Sequence, residues 1–181
     1  MTNPFIIGEK IYLRAPEPGD ATMAAMLENN PWPRTSLFYA VPTSITYAAN
    51  KLARLQDDPN TIVFTICTID PDQPVGQVAL LRIDWVGRMG VFYLGIADQK
   101  NWSKGYGGET TRLIVDYVFE ALNMNRLHLH VQCDNEKAVK AYQRAGFQME
   151  GTLRQAMYAR GKYYDFYVMG ILREDWEAAK K

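Results

Sequence analysis

The sequence predicts a mixed α/β (α+β) fold, in which an antiparallel β-meander continues into a parallel strand–helix–strand–helix unit. Residues 61–69 and 75–85 are rich in β-forming side chains and are separated by a proline-bounded turn, and a third such stretch covers residues 91–96. Helical and strand periodicities then alternate over residues 106–145. We therefore expect a twisted, mostly antiparallel mixed sheet of about six to seven strands, flanked by helices.

Length and composition predict a single cytoplasmic domain. The 181 residues, 48% of them hydrophobic, are enough for one buried core, so we expect one domain over residues 1–181. Twenty basic and twenty acidic side chains give a formal net charge of zero, which excludes the broad attraction that non-specific binding to nucleic acid or membranes needs. Cys67 and Cys133 lack metal-ligand spacing and are expected as buried, reduced thiols. The N-terminus lacks a signal-peptide pattern, and no apolar stretch is long enough for a membrane helix.

Two helices are predicted before the meander. A short strand at residues 10–14 precedes a helix over residues 21–27, for which Asp20 is expected as the side-chain cap. Ser44 is expected to cap the second helix in the same way. Apolar residues recur there at helical spacing, namely Ile45, Ala48, Leu52 and Leu55.

The second half of the chain alternates between the two periodicities. Its predicted elements are a helix at residues 106–122, a strand at 126–133, a helix at 136–145, strands at 147–157 and 163–172, and a short polar helix at 174–180. A strand, a helix and a second strand in this order favour a parallel pair.

A glycine-rich loop joins the end of the meander to the helix at residues 106–122. Gly105, Gly107 and Gly108 lie where this helix begins. Backbone N–H groups at a helix start have no intrahelical partner, and glycines let a ligand approach them closely, so the loop predicts a phosphate site. Its spacing matches neither a Walker loop nor a Rossmann fingerprint, which makes an ATP-binding domain a weak alternative.

This loop resembles a known cofactor-binding motif. Trp102-x-x-Gly105-x-Gly107, followed by Gly108 and Glu109, resembles the Gln/Arg-x-x-Gly-x-Gly/Ala loop of the GCN5-related N-acetyltransferases (GNATs). Trp102 stands where that superfamily usually has Gln or Arg.

A second motif of the same superfamily follows downstream. Asn135-x-x-Ala138-x-x-x-Tyr142-x-x-x-Gly146-Phe147 resembles its Asn-x-x-Ala/Ser-x-x-x-Tyr-x-x-x-Gly-Phe signature. The flanking segments resemble the RimJ/RimL-type branch, which shares its layout with polyamine N-acetyltransferases; the residues concerned are Gly8, Ile11, Leu13, Arg14, Glu150, Gly151, Leu153, Arg154 and Asp165.

The resemblance implies an acetyl-CoA-dependent N-acetyltransferase, in which a strand splays from its parallel neighbour to bind the cofactor. The implied contacts are the opened strand for the pantetheine arm, the glycine loop for the pyrophosphate, and an asparagine beside the pantetheine. These residues are Leu94, Gly95, Ile96, Trp102, Ser103, Lys104, Gly105, Tyr106, Gly107, Gly108 and Asn135.

The resemblance also implies direct attack of a primary amine on the thioester, with no covalent enzyme intermediate and no metal. The N–H of Ile96 or a neighbour would polarise the carbonyl, and Tyr142 would be the catalytic acid that protonates the departing thiolate. From its position alone, Tyr142 has a second interpretation, because its ring could pack in the core.

The proton acceptor is open, because Val91 stands where relatives often carry Glu. A water, Asp84 or one of the two histidines are the alternatives. His128 and His130 share one face of their predicted strand, where partial burial is the other interpretation.

The acceptor amine is also open between a protein N-terminus, a small molecule and a polyamine. Trp32, Phe38 and Tyr39 lie where relatives form one wall of the acceptor pocket, although ordinary packing explains them equally well. Residues 75–82 lack the acidic side chains that polyamine enzymes place there, which disfavours a polyamine. A non-catalytic acyl-CoA-binding module is the alternative from another functional class. A monomer or homodimer is expected.

Overall fold

The computed structural model describes residues 1–180, without the Thr35 side chain. These residues form eight strands, which are β1 (Ile6–Ile7), β2 (Ile11–Arg14), β3 (Ile62–Thr68), β4 (Gln73–Asp84), β5 (Met89–Ile96), β6 (Arg126–Gln132), β7 (Gln148–Ala159) and β8 (Lys162–Leu172). The five α-helices are α1 (Ala21–Asn29), α2 (Ile45–Asp57), α3 (Tyr106–Glu120), α4 (Glu136–Arg144) and α5 (Arg173–Ala179). No helix within the described part of the chain is long and apolar enough to cross a membrane.

The predicted mixed sheet is confirmed. Its strand order is β1-β2-β3-β4-β5-β6-β8-β7, and every neighbouring pair is antiparallel except β5 and β6, which are parallel. The sheet has eight strands rather than six to seven. The additional strand, β1, has only two residues, too few for a periodicity to be visible in the sequence.

The helices begin and end close to the predicted boundaries. The Ser44 hydroxyl accepts a hydrogen bond from the Tyr47 N–H at 3.1 Å, which confirms the predicted cap of α2. The prediction for Asp20 is wrong, because its side chain makes no capping bond to α1. Its carboxylate instead accepts two hydrogen bonds from the Arg14 guanidinium, at 2.7 and 2.8 Å. A buried, bidentate charge pair is a stronger interaction than a single capping bond.

The two faces of the sheet carry different layers. Helix α3 supplies Ile114 and Val118 to the main core, where they cluster with Phe64, Leu80 and residues of β6 and β8. Helices α1 and α2 lie on the opposite face, and they approach each other closely because small residues such as Ala24 and Ala48 meet between them. Alternate residues of β3 to β5 therefore face different helices.

Strands β5 and β6 diverge after a short paired segment. Their register runs from Met89 opposite Arg126 to Val91 opposite His128 and ends there. The outer neighbours continue, because β4 stays paired with β5 up to Ile96 and β8 stays paired with β6 up to Gln132. The sheet thus opens into a V-shaped gap, which gives the predicted splayed parallel pair.

Candidate active site

A cleft of about 660 Å³ occupies the gap, between the ends of β5 and β6, the start of α3 and one face of α4. It brings together nearly all residues predicted for the cofactor and the acid, which are Leu94, Gly95, Ile96, Trp102, Ser103, Gly105, Tyr106, Gly107, Gly108, Asn135 and Tyr142. Lys104 is the exception, since it does not line the cleft. Its carbonyl lies 3.5 Å from Nζ of Lys10.

The backbone of β5 presents hydrogen-bonding groups to this cleft. Ala97 N–H donates to the Val75 carbonyl at 2.9 Å, so Ala97 forms a hydrogen-bonded pair with β4. In an antiparallel pair, hydrogen-bonded and non-hydrogen-bonded residue pairs alternate. The backbone N–H and C=O groups of Leu94 and Ile96 therefore point away from β4 into the gap. The Ile96 carbonyl accepts a hydrogen bond from the indole N–H of Trp102 at 3.2 Å. This bond connects the loop before α3 to the end of β5.

The glycine loop presents free N–H groups at the other side of the cleft. Ser103 and Gly105 have φ values of 59° and 93°, and this left-handed backbone turns the chain into α3. The first intrahelical bond runs from Glu109 N–H to the Gly105 carbonyl, which leaves the N–H groups of residues 106–108 without an intrahelical partner. A Cβ at Gly108 would meet no other atom within 4 Å, so this side is open to a ligand.

Glu109 lies in the first turn of α3 but faces away from the cleft. Its carboxylate is buried and accepts hydrogen bonds from the N–H groups of Glu9 at 2.5 Å and Lys10 at 3.0 Å. Gly8 packs so tightly against it that an added Cβ would clash with the carboxylate oxygen. This acidic side chain therefore anchors the N-terminal segment and leaves the helix start available to an anion.

Three basic side chains of α4 line the cleft and were missed in the sequence. They are Lys137, Lys140 and Arg144, and Nζ of Lys137 lies 3.4 Å from the Ser103 hydroxyl. Their spacing of three and four residues puts them on one helix face, which was a readable signal. The zero net charge of the whole chain concealed this local basic surface.

The Tyr142 ring packs in the core while its residue also lines the cleft. The ring contacts those of Phe92 and Phe147, each with centroids 5.9 Å apart. Its hydroxyl has no hydrogen-bond partner within residues 1–180. Burial raises the pKa of Tyr142 to about 12, so the hydroxyl carries its proton at neutral pH. Core packing and a proton-donating role are therefore compatible.

The structure separates the candidates for the proton acceptor. Asp84 accepts hydrogen bonds from the N–H groups of Val86 and Gly87 in the β4–β5 turn, and it does not line the cleft. His128 is partly buried and also lies outside the cleft lining, and burial lowers its pKa. His130 is exposed and lines the cleft. It lies on β6 two residues after His128, the last residue of β6 that pairs with β5.

The aromatic residues predicted for the acceptor lie outside this cleft. Phe38 packs on Phe166 with ring centroids 4.7 Å apart and the ring planes tilted by 36°, and the Arg160 guanidinium lies 6.0 Å from the ring of Trp32. Tyr39 lines a second, smaller cavity on the α1–α2 face, where its hydroxyl is hydrogen-bonded to that of Tyr93 at 2.6 Å.

Comparison with known proteins gives consistent results. The acetyltransferase (GNAT) domain family matches residues 10–148. The uncharacterized N-acetyltransferase p20 of Bacillus licheniformis is 27% identical over 173 residues, which cover 93% of this chain and 96% of that protein. Spermidine N(1)-acetyltransferase of Vibrio cholerae is 33% identical over 102 residues, covering 56% of this chain and 58% of that enzyme.

Solved structures resemble the fold as a whole. The crystal structure of spermidine N-acetyltransferase from Vibrio cholerae in complex with CoA and spermine aligns with a TM-score of 0.86 at 27% identity. The alignment covers 94% of this chain and 99% of that one.

Proposed function

Because the chain belongs to the acetyltransferase (GNAT) domain family and is an acetyl-CoA-dependent N-acetyltransferase, we propose that the gap between β5 and β6 is its active site, with Tyr142 as the catalytic acid. One observation carries the proposal. The protonated hydroxyl of Tyr142, which has no hydrogen-bond partner within residues 1–180, belongs to the same cleft as the N–H groups of Leu94 and Ile96 that point away from β4. The cleft therefore combines a proton donor with N–H groups suited to polarising a carbonyl.

The cleft fits the chemical groups of coenzyme A. The N–H and C=O groups of Leu94 suit the amides of the pantetheine arm, which leaves the Ile96 N–H for the thioester carbonyl. The N–H groups at the start of α3 suit the pyrophosphate. Lys137, Lys140 and Arg144 add positive charge beside these anionic groups. The Asn135 side-chain oxygen caps α4 by accepting from Ala138 N–H at 3.3 Å, which leaves its NH₂ group free to donate to the pantetheine.

The mechanism assigns one step to each polar group. Acetyl-CoA supplies the acetyl group as a thioester, whose carbon–sulfur bond breaks as the amine nitrogen bonds to the carbonyl carbon. The Ile96 N–H polarises the carbonyl, and Tyr142 donates its proton to the departing sulfur. His130 takes the proton that the amine releases, because it alone among the two histidines and Asp84 lines the cleft.

Replacing His130 tests its role as the proton acceptor. We expect His130→Gln to lower kcat about 100-fold with a strongly basic amine acceptor, because proton removal then lacks a positioned base. The loss should be smaller with a weakly basic amine, which is already neutral at the assay pH. His128→Gln is the matched control on the same strand face and should retain activity. Equal rates for the two variants would assign the proton to solvent.

Replacing Trp102 tests its hydrogen bond to the end of β5. We expect Trp102→Phe to raise the KM for acetyl-CoA about five- to tenfold, because the Ile96 carbonyl loses its indole donor and the end of β5 is less well ordered. The turnover number should change little. Trp85→Phe is the control, since the indole of Trp85 donates to the Pro59 carbonyl at 3.1 Å in a turn outside the cleft. An unchanged KM would show that this bond contributes nothing to cofactor binding.

The acceptor is a primary amine, either a protein N-terminus or a small molecule, as in the RimJ/RimL-like branch. The residues that suggest this branch have structural roles here, because Gly8 packs on Glu109 and Arg126 forms an ion pair with Glu150. A spermidine-type polyamine is the second candidate, supported by the similarity to spermidine N-acetyltransferases. A single cytoplasmic domain, as a monomer or homodimer, completes the proposal.

Thiol release from acetyl-CoA tests the function directly. Peptides, amino-acid amides and polyamines should be compared, with acetyl-CoA binding followed by thermal shift in the same samples. Turnover with any amine class supports catalysis. Binding of acetyl-CoA without turnover of any amine would instead favour a non-catalytic acyl-CoA-binding module.

A further inference from the structure

A second cavity adjoins the active-site gap from the opposite face of the sheet. It has a volume of about 110 Å³ and lies between α1, α2 and strands β3 to β5. Tyr93 lines both cavities, and Gln77 of the second cavity is paired across the sheet with Gly95 of the first. A molecule held in the second cavity therefore lies next to the gap, on the side away from α4.

The charged groups of this cavity are already paired with each other. Glu28 accepts a hydrogen bond from Nζ of Lys51 at 2.6 Å and from the Thr43 hydroxyl at 2.5 Å. Glu28 is the only carboxylate among the described residues that line the cavity, and Lys51 neutralises it. The cavity thus offers no free negative charge to a cationic ligand, since binding a second cation would require breaking this pair.

The remaining polar groups of the cavity include an unpartnered amide. The hydroxyls of Tyr39 and Tyr93 bond to each other at 2.6 Å. Gln77 is only 8% exposed, and its Nε2 atom has no hydrogen-bond partner among the residues that the structure describes. A buried amide without a partner is costly, and a ligand oxygen at this position would satisfy it. The other walls are apolar, formed by Ala24, Ala48, Leu52, Leu55, Val63, Ala79 and Leu81.

We propose that this cavity binds the body of the acceptor amine, and that it selects a compact, uncharged apolar group with a hydrogen-bond-accepting oxygen. The assignment rests on the proposed function, because it needs amine transfer in the adjoining gap. Size supports it: a dry cavity of about 150 Å³ holds benzene, so the smaller volume here suits a branched group of roughly four carbons. A polyamine is too long and too highly charged for this cavity.

Three amines distinguish the features of the acceptor. Valinamide has the branched group and the oxygen, isobutylamine has the branched group alone, and spermidine is a polycation. With kcat/KM referred to the concentration of the neutral amine, we expect the value for valinamide to exceed that of each other amine about tenfold or more. A preference of the same size for spermidine would overturn the assignment.

Two substitutions test the cavity itself. Gln77→Leu should raise the KM for valinamide about tenfold and leave that for isobutylamine unchanged, because only valinamide bonds to the amide. Ala79→Leu should raise the KM for both by filling the space, with Leu55→Phe as a second filling variant if Ala79→Leu does not fold. Ala53→Leu, on the exposed face of α2, is the matched control. Unchanged KM values in both cavity variants would overturn the assignment.

Calorimetric binding of valinamide to the enzyme–CoA complex separates this inference from the proposed function. Binding that Gln77→Leu weakens, without turnover of any amine, would overturn the proposed function and retain the cavity as an amine site. If an amine is turned over but the affinity for valinamide is unchanged in both Gln77→Leu and Ala79→Leu, the proposed function is retained and the cavity assignment is overturned.

Discussion

Tyr142→Phe is expected to lower kcat roughly 100-fold or more, because the phenolic proton is the one available to the departing thiolate. The aromatic ring stays in place, so its packing on Phe92 and Phe147 should persist. Acetyl-CoA should therefore stabilise the variant in a thermal shift experiment as much as it stabilises the parent. Thiol release at saturating acetyl-CoA measures the effect.

The pKa of Tyr142 adds a pH dependence to the same prediction. A pKa of about 12 keeps the hydroxyl protonated, so loss of the acid should not reduce kcat up to about pH 10. Tyr117→Phe is the matched control, since Tyr117 packs in the core from α3 and lies outside the cleft. If Tyr142→Phe stayed within about threefold of the parent, the ring would be a packing residue only and solvent would protonate the thiolate.

Local signals predicted the fold and an anion site at the start of α3, and the resemblance to the GNAT superfamily supplied the other cleft residues. The Ser44 cap, the glycine loop at the start of α3 and the Asn135-to-Phe147 signature each depend on residues within one element, so the sequence displays them directly. The alternation of side chains along a strand likewise predicted that His128 and His130 lie on the face of β6 opposite its buried residues. The gap followed from the resemblance, and the β5–β6 register has the geometry that it requires.

Features that depend on distant partners were not predictable. The Asp20 carboxylate accepts hydrogen bonds from Arg14 and Thr65 instead of capping α1, and Thr65 is 45 residues away in the sequence. Gln77 lies in an apolar β-strand, and only the placement of α1 and α2 over its face makes its unpaired amide part of a cavity. Lys137 and its neighbours on α4 had a readable spacing, but nothing local indicated which ligand they face.

Arg14→Met is expected to lower the free energy of unfolding by about 3–5 kcal/mol, because it leaves the Asp20 carboxylate buried without its cationic partner. Arg14 and Asp20 are 7% and 2% exposed, so water cannot replace the lost interaction. Urea denaturation measures the change. Lys180→Met breaks exposed ion pairs with Asp116 and Glu120 and should leave the stability nearly unchanged.

A double-mutant cycle and a pH series identify the charge pair as the cause. Burial alone would raise the pKa of Asp20, but hydrogen bonds from Arg14, Glu17 and Thr65 outweigh it and hold the pKa below its usual value. The carboxylate therefore stabilises the fold above the pKa of the unfolded chain, and that stability is lost as the pH falls through the lower folded pKa. Asp20→Asn should reduce the fall in the free energy of unfolding at acidic pH. Combined with Arg14→Met, it should reveal a coupling of about 0.5–3 kcal/mol, whereas additive losses would mean that Arg14 acts through packing alone.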